Sequence, residues 1–102
     1  MHKSELLKQE QEQAWVGDAV LALFAREFIL RQHGALNSDL FIALTNNHFL
    51  SALGNPTSVE AEIGRYYQSQ GLEATFRWLE VKLLPLFELQ AKKRARKNAG
   101  RA

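Results

Sequence analysis

Apolar residues recur at helical spacing along almost the whole chain, and no segment alternates apolar and polar residues as a half-buried strand would. A first helix is predicted from about Gln9 to His33, where Ala, Leu, Val and Phe dominate, and Gly34 supplies a C-terminal stop. Because this helix is so apolar, we expect it to be buried and not to lie on a surface. The pattern predicts an all-α protein organised around this long helix.

Three further helices are predicted from their start and stop signals. Asn37 or Ser38 caps a second helix that runs to residue 53 and ends near Gly54. Asn55 followed by a proline marks the start of a third helix, which covers residues 57–70. The fourth helix begins at residue 72 and must accommodate Pro85 by a kink or a restart.

The composition indicates one compact domain with a modest core, because the chain has 102 residues, of which 46% are hydrophobic. The absence of cysteine excludes disulfides and thiolate metal sites and favours an intracellular protein. The N-terminal residues lead into a polar Gln/Glu stretch instead of an apolar signal core, and no run approaches the ~20 apolar residues of a membrane span. We therefore expect a cytoplasmic protein that is not embedded in a membrane.

Positive charge is concentrated at the C-terminus. The residues after Ala91 contain no acid, whereas the rest of the chain has 7 basic and 11 acidic residues. We therefore divide the chain into a helical domain, residues 1–91, and a flexible basic tail, residues 92–102. Such a tail is attracted to phosphate backbones by counterion release, or it is a solvated segment that keeps the domain soluble, since it lacks aromatic residues for stacking. Its basic residues are Lys92, Lys93, Arg94, Arg96, Lys97 and Arg101.

Asp18 is a single carboxylate within the apolar run 15–21. Burying an ionised carboxylate costs several kcal/mol or more unless a partner or a metal compensates, so this position calls for an explanation. Small residues flank both Asp18 and the later Glu60, among them Gly17 and Gly64, so the two helices could approach closely and set their acids opposite each other in a groove. The structural alternative is that Asp18 caps or pairs with a neighbouring helix and that the two glycines are packing notches.

Three ordered motifs resemble those of the ribonuclease III domain. Residues 15–21, Trp-Val-Gly-Asp-Ala-Val-Leu, look like the signature helix of that family. Residues 43–50, Ala-Leu-Thr-Asn-Asn-His-Phe-Leu, are similar to its Ala-Leu-Val-Ser-Asn-Glu-x-Leu segment, and residues 59–64, Val-Glu-Ala-Glu-Ile-Gly, follow its Phe-Glu-Ala-x-Ile-Gly motif. The resemblance covers roughly residues 11–85, and the combination of three motifs is more specific than Gly-Asp-Ala alone.

The departures from this pattern point to the Mini-III ribonucleases. Ala14 and Thr57 occupy positions where ordinary ribonuclease III enzymes carry a glutamate and an aspartate, and Gln11 replaces a further glutamate. Mini-III proteins, which also lack the double-stranded-RNA-binding domain, similarly have a small residue and a threonine there. The chain departs even from Mini-III in the short connection at residues 54–55, where that subfamily has a long segment used near its substrate.

The resemblance implies a compact helical ribonuclease III-type endonuclease domain that acts as a two-fold homodimer. It implies a Mg²⁺-dependent endoribonuclease that cleaves double-stranded RNA, such as a ribosomal RNA precursor or a similar structured RNA, with Asp18 and Glu60 as both catalytic residues and metal ligands. Mn²⁺ can substitute for Mg²⁺ at such oxygen ligands, and no organic cofactor is expected. The aromatic residue of the signature, Trp15, is expected to enter a pocket of the partner subunit, although a tryptophan beside an apolar helix also suits an intrachain core.

RNA contacts are expected from Asn47 in the second motif and from the basic tail. His48 replaces the family's glutamate, and we expect it to line the groove or to be a partly exposed helix residue. The loss of usual acids leaves a second function open, a catalytically inactive ribonuclease III-like module that binds RNA or associates with the ribosome. A helical dimerisation module without RNA binding is a third. The expected RNA-binding residues are Asn47, Lys92, Lys93, Arg94, Arg96 and Lys97.

Overall fold

Five α-helices and no strand make up the described part of the chain, which comprises the backbone of residues 2–99 and the side chains of residues 2–96 in a computed structural model. The all-α prediction is confirmed. None of the described helices is both long and apolar enough to cross a membrane. The helices are α1 (Lys3–His33), α2 (Ser38–Thr45), α3 (Asn47–Ser51), α4 (Pro56–Gln70) and α5 (Leu72–Ala99).

The predicted stop and start signals operate as expected at most helix ends. Gly34 ends α1 in the left-handed conformation with φ 70°. The side chains of Asn37 and Asn55 accept hydrogen bonds from backbone N–H groups in the first turns of α2 and α4. The first helix begins six residues before the predicted Gln9, because the His2 side chain caps an earlier turn.

The prediction of one helix over residues 38–53 was wrong, since the chain leaves the helix at Asn46. The backbone of Asn46 is extended, with ψ 159°. Its side-chain oxygen accepts from the Phe49 N–H at 2.7 Å, and its amide nitrogen donates to the Ile42 carbonyl at 2.7 Å. An asparagine that satisfies the backbone on both sides in this way ends one helix and starts the next.

Helix α5 continues without interruption through Pro85 and as far as Ala99, so the described part of the expected flexible tail is helical. No break in the helix marks the expected boundary at residue 91. The side chains of Lys92, Lys93, Arg94 and Arg96 are exposed along its last turns. The side chain of Lys97 and all of Arg101 lie outside the described residues.

The core forms where α1 crosses α4 and α5, with α2 and α3 packed against it. Two edge-to-face aromatic pairs connect α1 and α3 to α5 within this core. Phe24 of α1 meets Phe76 of α5 with ring centroids 5.5 Å apart, and Phe49 of α3 meets Phe87 of α5 at 6.1 Å. These contacts fix the short helix α3 against the second half of α5.

The expectation that α1 is buried was wrong for the single chain. Its buried residues occupy one stripe, and large apolar side chains remain exposed on the rest of its surface. Trp15 is 80% exposed, Leu30 is 53% exposed and Leu23 is 40% exposed. Helix α1 therefore has more apolar surface than the core of a single chain buries.

Candidate functional site

The candidate site lies where α1 and α4 cross with their backbones in contact. A Cβ atom added to Gly17 would overlap the carbonyl oxygen of Glu60 and lie 2.9 Å from the Gly64 nitrogen. A Cβ atom added to Gly64 would overlap the carbonyl oxygen of Gln13 and lie 3.1 Å from the Gly17 nitrogen. Only a pair of glycines permits this approach, because no side chain fits between the helices. The predicted close approach of the two helices is confirmed.

This crossing brings the side chains of Asp18 and Glu60 together. Asp18 follows Gly17 directly and is exposed, so it avoids the cost of burying a charge within the apolar run. Glu60 is half-buried. Partial burial, a hydrogen bond to Asp18 and the negative charge of Asp18 together raise the pKa of Glu60 from 4.5 to about 7. Glu60 is therefore the acid of this pair whose ionisation the folded chain disfavours.

The surroundings of this pair argue against the structural alternative of a cap or an ion pair. The ion pairs among the described residues involve other acids, and Glu62, two residues from Glu60, pairs with Lys82 at 3.3 Å. No described cation compensates the two charges. A carboxyl pair left without a cation is costly to the fold, and such costs are typical of functional sites.

Neither position where the resemblance would place a further acid supplies one. Ala14 is buried, and Thr57 is exposed in the first turn of α4. No group of three or more His, Asp or Glu side chains that could hold a metal ion converges among the described residues. Asp18 and Glu60 therefore have no third acid beside them in the described part of the chain.

Replacing Glu60 by glutamine is expected to stabilise the folded protein above neutral pH. Because the pKa of Glu60 is higher in the folded chain than in the unfolded chain, the folded state binds more protons between pH 4.5 and about 7, and its stability falls as the pH rises through this window. We expect Glu60→Gln to raise the free energy of unfolding by about 1 kcal/mol at pH 8, after allowance for solvent screening of this half-exposed group. Urea unfolding with a metal chelator present measures the effect.

The matched control is Glu62→Gln, which removes an equivalent charge from the same helix. At pH 4.5, Glu60→Gln should match the wild type more closely, because the wild-type carboxyl is then largely protonated. A Glu60→Gln protein that is less stable than the wild type at pH 8 would show that this carboxylate supports the fold.

An apolar groove of about 550 Å³ begins beside the acid pair. Trp15, Leu23, Tyr67 and Leu72 are its exposed large apolar residues, and Asp18 lines the same groove. An exposed apolar patch of this kind, with a nearly free tryptophan, is typical of a surface that meets a partner. The intrachain-core interpretation of Trp15 is excluded by its 80% exposure.

The predicted RNA-binding residues do not all meet at one place. Asn47 is exposed at the start of α3, and the described basic residues follow different faces of α5. Lys93 and Arg94 line a pocket with His48, whereas Lys92 and Arg96 do not. The side chain of Lys97 lies outside the described residues.

The sequence interpretation named Trp15 but missed the other apolar residues of the groove and the grouping of His48 with Lys93 and Arg94. Leu23 follows Trp15 and Ala19 at a spacing of four residues, which is a detectable signal for one helix face. Tyr67 and Leu72 join this face only through the packing of α4 beside α1. His48 lies about 45 residues before Lys93 in the chain, so no local sequence pattern indicates that the two side chains line the same pocket.

Comparison with known proteins assigns no family to this chain. No protein-family model, no characterised protein and no solved structure matches it. The residues and the geometry of this chain are therefore the basis for its site chemistry.

Proposed function

We propose that this protein is a metal-dependent endoribonuclease of the ribonuclease III type that cleaves double-stranded RNA. The observation that carries the proposal is the convergence of the Asp18 and Glu60 carboxyl groups at the Gly17–Gly64 crossing. These are the two acids that the resemblance to Mini-III ribonucleases assigns to the metal. The sequence motifs and the helix crossing both point to this pair of residues.

The donor set fits a hard divalent cation. Mg²⁺ prefers carboxylate oxygens, keeps several of its waters and needs only one or two protein ligands, so Asp18 and Glu60 suffice to hold it. When bound, Mg²⁺ supplies a Lewis acid that acidifies water and neutralises charge on the phosphodiester. Partial burial, followed by the contact with Asp18 and its negative charge, raises the pKa of Glu60, and a cation bound between the two carboxyl groups would offset this cost of ionisation.

Glu60 acts in this proposal as a ligand of the cation, held beside Asp18. Its raised pKa of about 7 belongs to the site without a cation and does not describe the loaded site. In the hydrolysis, a water oxygen forms a bond to phosphorus while the bond to the 3′ oxygen breaks, which yields a 5′-phosphate and a 3′-hydroxyl. The close packing of α1 and α4 at Gly17 and Gly64 positions Glu60 beside Asp18.

Double-stranded RNA is the proposed substrate because its shape can be recognised from phosphates and 2′-hydroxyls without base readout. The exposed cations at the end of α5 supply phosphate contacts, although the part of the chain before residue 92 is acidic on balance. A ribosomal RNA precursor or a similarly structured RNA has the duplex segments that such a site requires.

Cleavage of both strands requires two sites, which a two-fold homodimer provides. The apolar groove supplies the interface in this proposal, with Trp15 entering the groove of the partner subunit. Since Asp18 lines the same groove, a partner seated there would lie beside the acid pair and would help to exclude water from it.

Trp15→Ala is expected to weaken the dimer. A tryptophan that is exposed in the single chain and buried by a partner contributes a large share of the binding energy, so we expect the dissociation constant to rise by roughly 10- to 100-fold. Sedimentation or light scattering across a dilution series measures this change. Leu36→Ala is the control, since Leu36 is 82% exposed but lies outside the groove. Equal dissociation constants for Trp15→Ala and the wild type would contradict the proposed interface.

The proposed activity is tested by incubating the purified chain with duplex RNA, single-stranded RNA and duplex DNA, with Mg²⁺ or with a chelator. We expect Mg²⁺-dependent cleavage of duplex RNA only, with 5′-phosphate ends. Binding of duplex RNA without cleavage would favour the inactive RNA-binding module. Absence of both binding and cleavage would favour a dimerisation module and contradict the proposal.

A further inference from the structure

A polar pocket of about 360 Å³ lies on a different part of the molecule from the acid pair. It is formed by α2, α3 and the second half of α5, whereas the acids lie on α1 and α4. Its polar lining residues carry cations or hydrogen-bond donors, and no carboxylate lines it. The lining consists of Ala43, Asn46, His48, Phe49, Gln90, Lys93 and Arg94.

The cationic side chains of this pocket are not engaged elsewhere in the described structure. Neither Lys93 nor Arg94 forms an ion pair with a described acid, and neither donates a hydrogen bond to a described residue. The ring of His48 likewise has no hydrogen-bond partner among the described residues. Three nitrogen-bearing groups around one concavity are therefore available to a ligand.

Hydrogen bonds and an aromatic contact hold the helices that form the pocket in position. Asn46 holds the junction of α2 and α3 through the two 2.7 Å hydrogen bonds of its side chain. Phe49, the neighbour of His48, is fully buried and packs edge-to-face on Phe87, 6.1 Å away. These contacts position His48 opposite the face of α5 that carries Gln90 and Lys93, so the donors are held in place before a ligand arrives.

We propose that this pocket binds a phosphate group through Lys93, Arg94 and His48, with the Gln90 amide as a further donor. A phosphate offers several strong acceptor oxygens, and a guanidinium and an ammonium held together suit such an anion. The absence of a carboxylate from the lining selects against cations. The ligand is either an RNA backbone phosphate or a free phosphate or nucleotide, and only the first of these rests on the proposed ribonuclease function.

The test compares two pairs of charge-neutralising variants of the full chain. Lys93→Gln and Arg94→Gln remove cations that line the pocket, and Lys92→Gln and Arg96→Gln remove exposed cations of the same helix that do not. Binding of inorganic phosphate is followed by NMR shifts of the residues around His48 at constant ionic strength. We expect saturable shifts, with affinity at least about tenfold lower in each pocket variant and nearly unchanged in each control.

A second arm separates the two sources of the phosphate group. Binding of duplex RNA is measured in a metal chelator, so that the result does not depend on cleavage. A clearly larger loss in the pocket variants than in the control variants supports a site for an RNA phosphate, whereas equal RNA affinities in all four variants support a site for a free phosphate or nucleotide. Absence of saturable phosphate shifts in the wild type, or equal losses of phosphate affinity in pocket and control variants, would overturn the site. None of these results depends on whether the protein cleaves RNA.

Discussion

Asp18→Asn and Glu60→Gln are each expected to reduce the rate of duplex RNA cleavage by at least ~10²–10³-fold. Each substitution keeps the size of the side chain and removes one of the two anionic ligands at the helix crossing. No third acid converges with this pair among the described residues, so no neighbouring carboxylate compensates for either loss. Single-turnover cleavage of a defined RNA duplex at saturating Mg²⁺ measures the chemical step without product release.

Glu62→Gln is the matched control for these variants. Glu62 lies on the same helix as Glu60 but pairs with Lys82 at 3.3 Å and faces away from the acid pair. We expect its cleavage rate to stay within a few-fold of the wild type. Near-wild-type cleavage by Asp18→Asn would remove Asp18 from the active site and would contradict the proposed function.

The stability of the same variants separates a functional role from a structural one. If the acid pair supported the fold, both substitutions would destabilise it. The raised pKa of Glu60 indicates the opposite, because the folded protein pays a free-energy cost to ionise that carboxyl group. We therefore expect variants that are inactive and yet at least as stable as the wild type above pH 7, which is the usual trade-off at a functional site.

Gly64→Ala and Gly17→Ala are expected to have the largest effects on stability. In each case the new Cβ atom overlaps a backbone carbonyl oxygen of the facing helix, and backbone atoms cannot move aside as a flexible side chain can. The helices must separate, which also opens the core around Leu21 and Ile63. We expect each substitution to reduce the free energy of unfolding by about 3 kcal/mol or more, measured by urea unfolding.

Gly34→Ala provides the comparison for these glycines. Gly34 has a positive φ of 70°, but nothing lies within 4 Å of an added Cβ atom. Only the backbone preference is affected, so we expect a loss of about 1 kcal/mol. A cost at Gly64 no larger than the cost at Gly34 would show that α1 and α4 do not meet through their backbones.

The secondary structure was largely predictable because its signals are local. The caps at Asn37 and Asn55 and the stop at Gly34 act within one helical turn, and all three are found where the sequence indicates them. The break at Asn46 was missed. Its cause is also local, but an asparagine inside an apolar helical pattern can point to solvent or cap a new helix, and the pattern does not distinguish these outcomes.

The exposure of individual side chains was less predictable, because it depends on which helix faces pack against each other. The apolar pattern suggested that α1 is buried, and it left open whether Trp15 lies in the core or meets a partner, yet Trp15 and other large apolar residues of α1 are exposed. An amphipathic pattern indicates that a helix has an apolar face, but it does not specify how much of that face the same chain covers. The excess apolar surface of α1 lines the groove assigned here to a second subunit.

The sequence by itself determined the all-α class, most helix ends and the identity of the two acids, because these depend on local caps, on periodicity and on the ordered motifs around Asp18 and Glu60. Only the tertiary structure decided that two glycines place these acids together, that burial beside Asp18 raises the pKa of Glu60 to about 7, and that His48 lines one pocket with Lys93 and Arg94. The physical reason is that proximity between distant residues is set by helix packing, whereas the sequence signals used here extend over one or two helical turns.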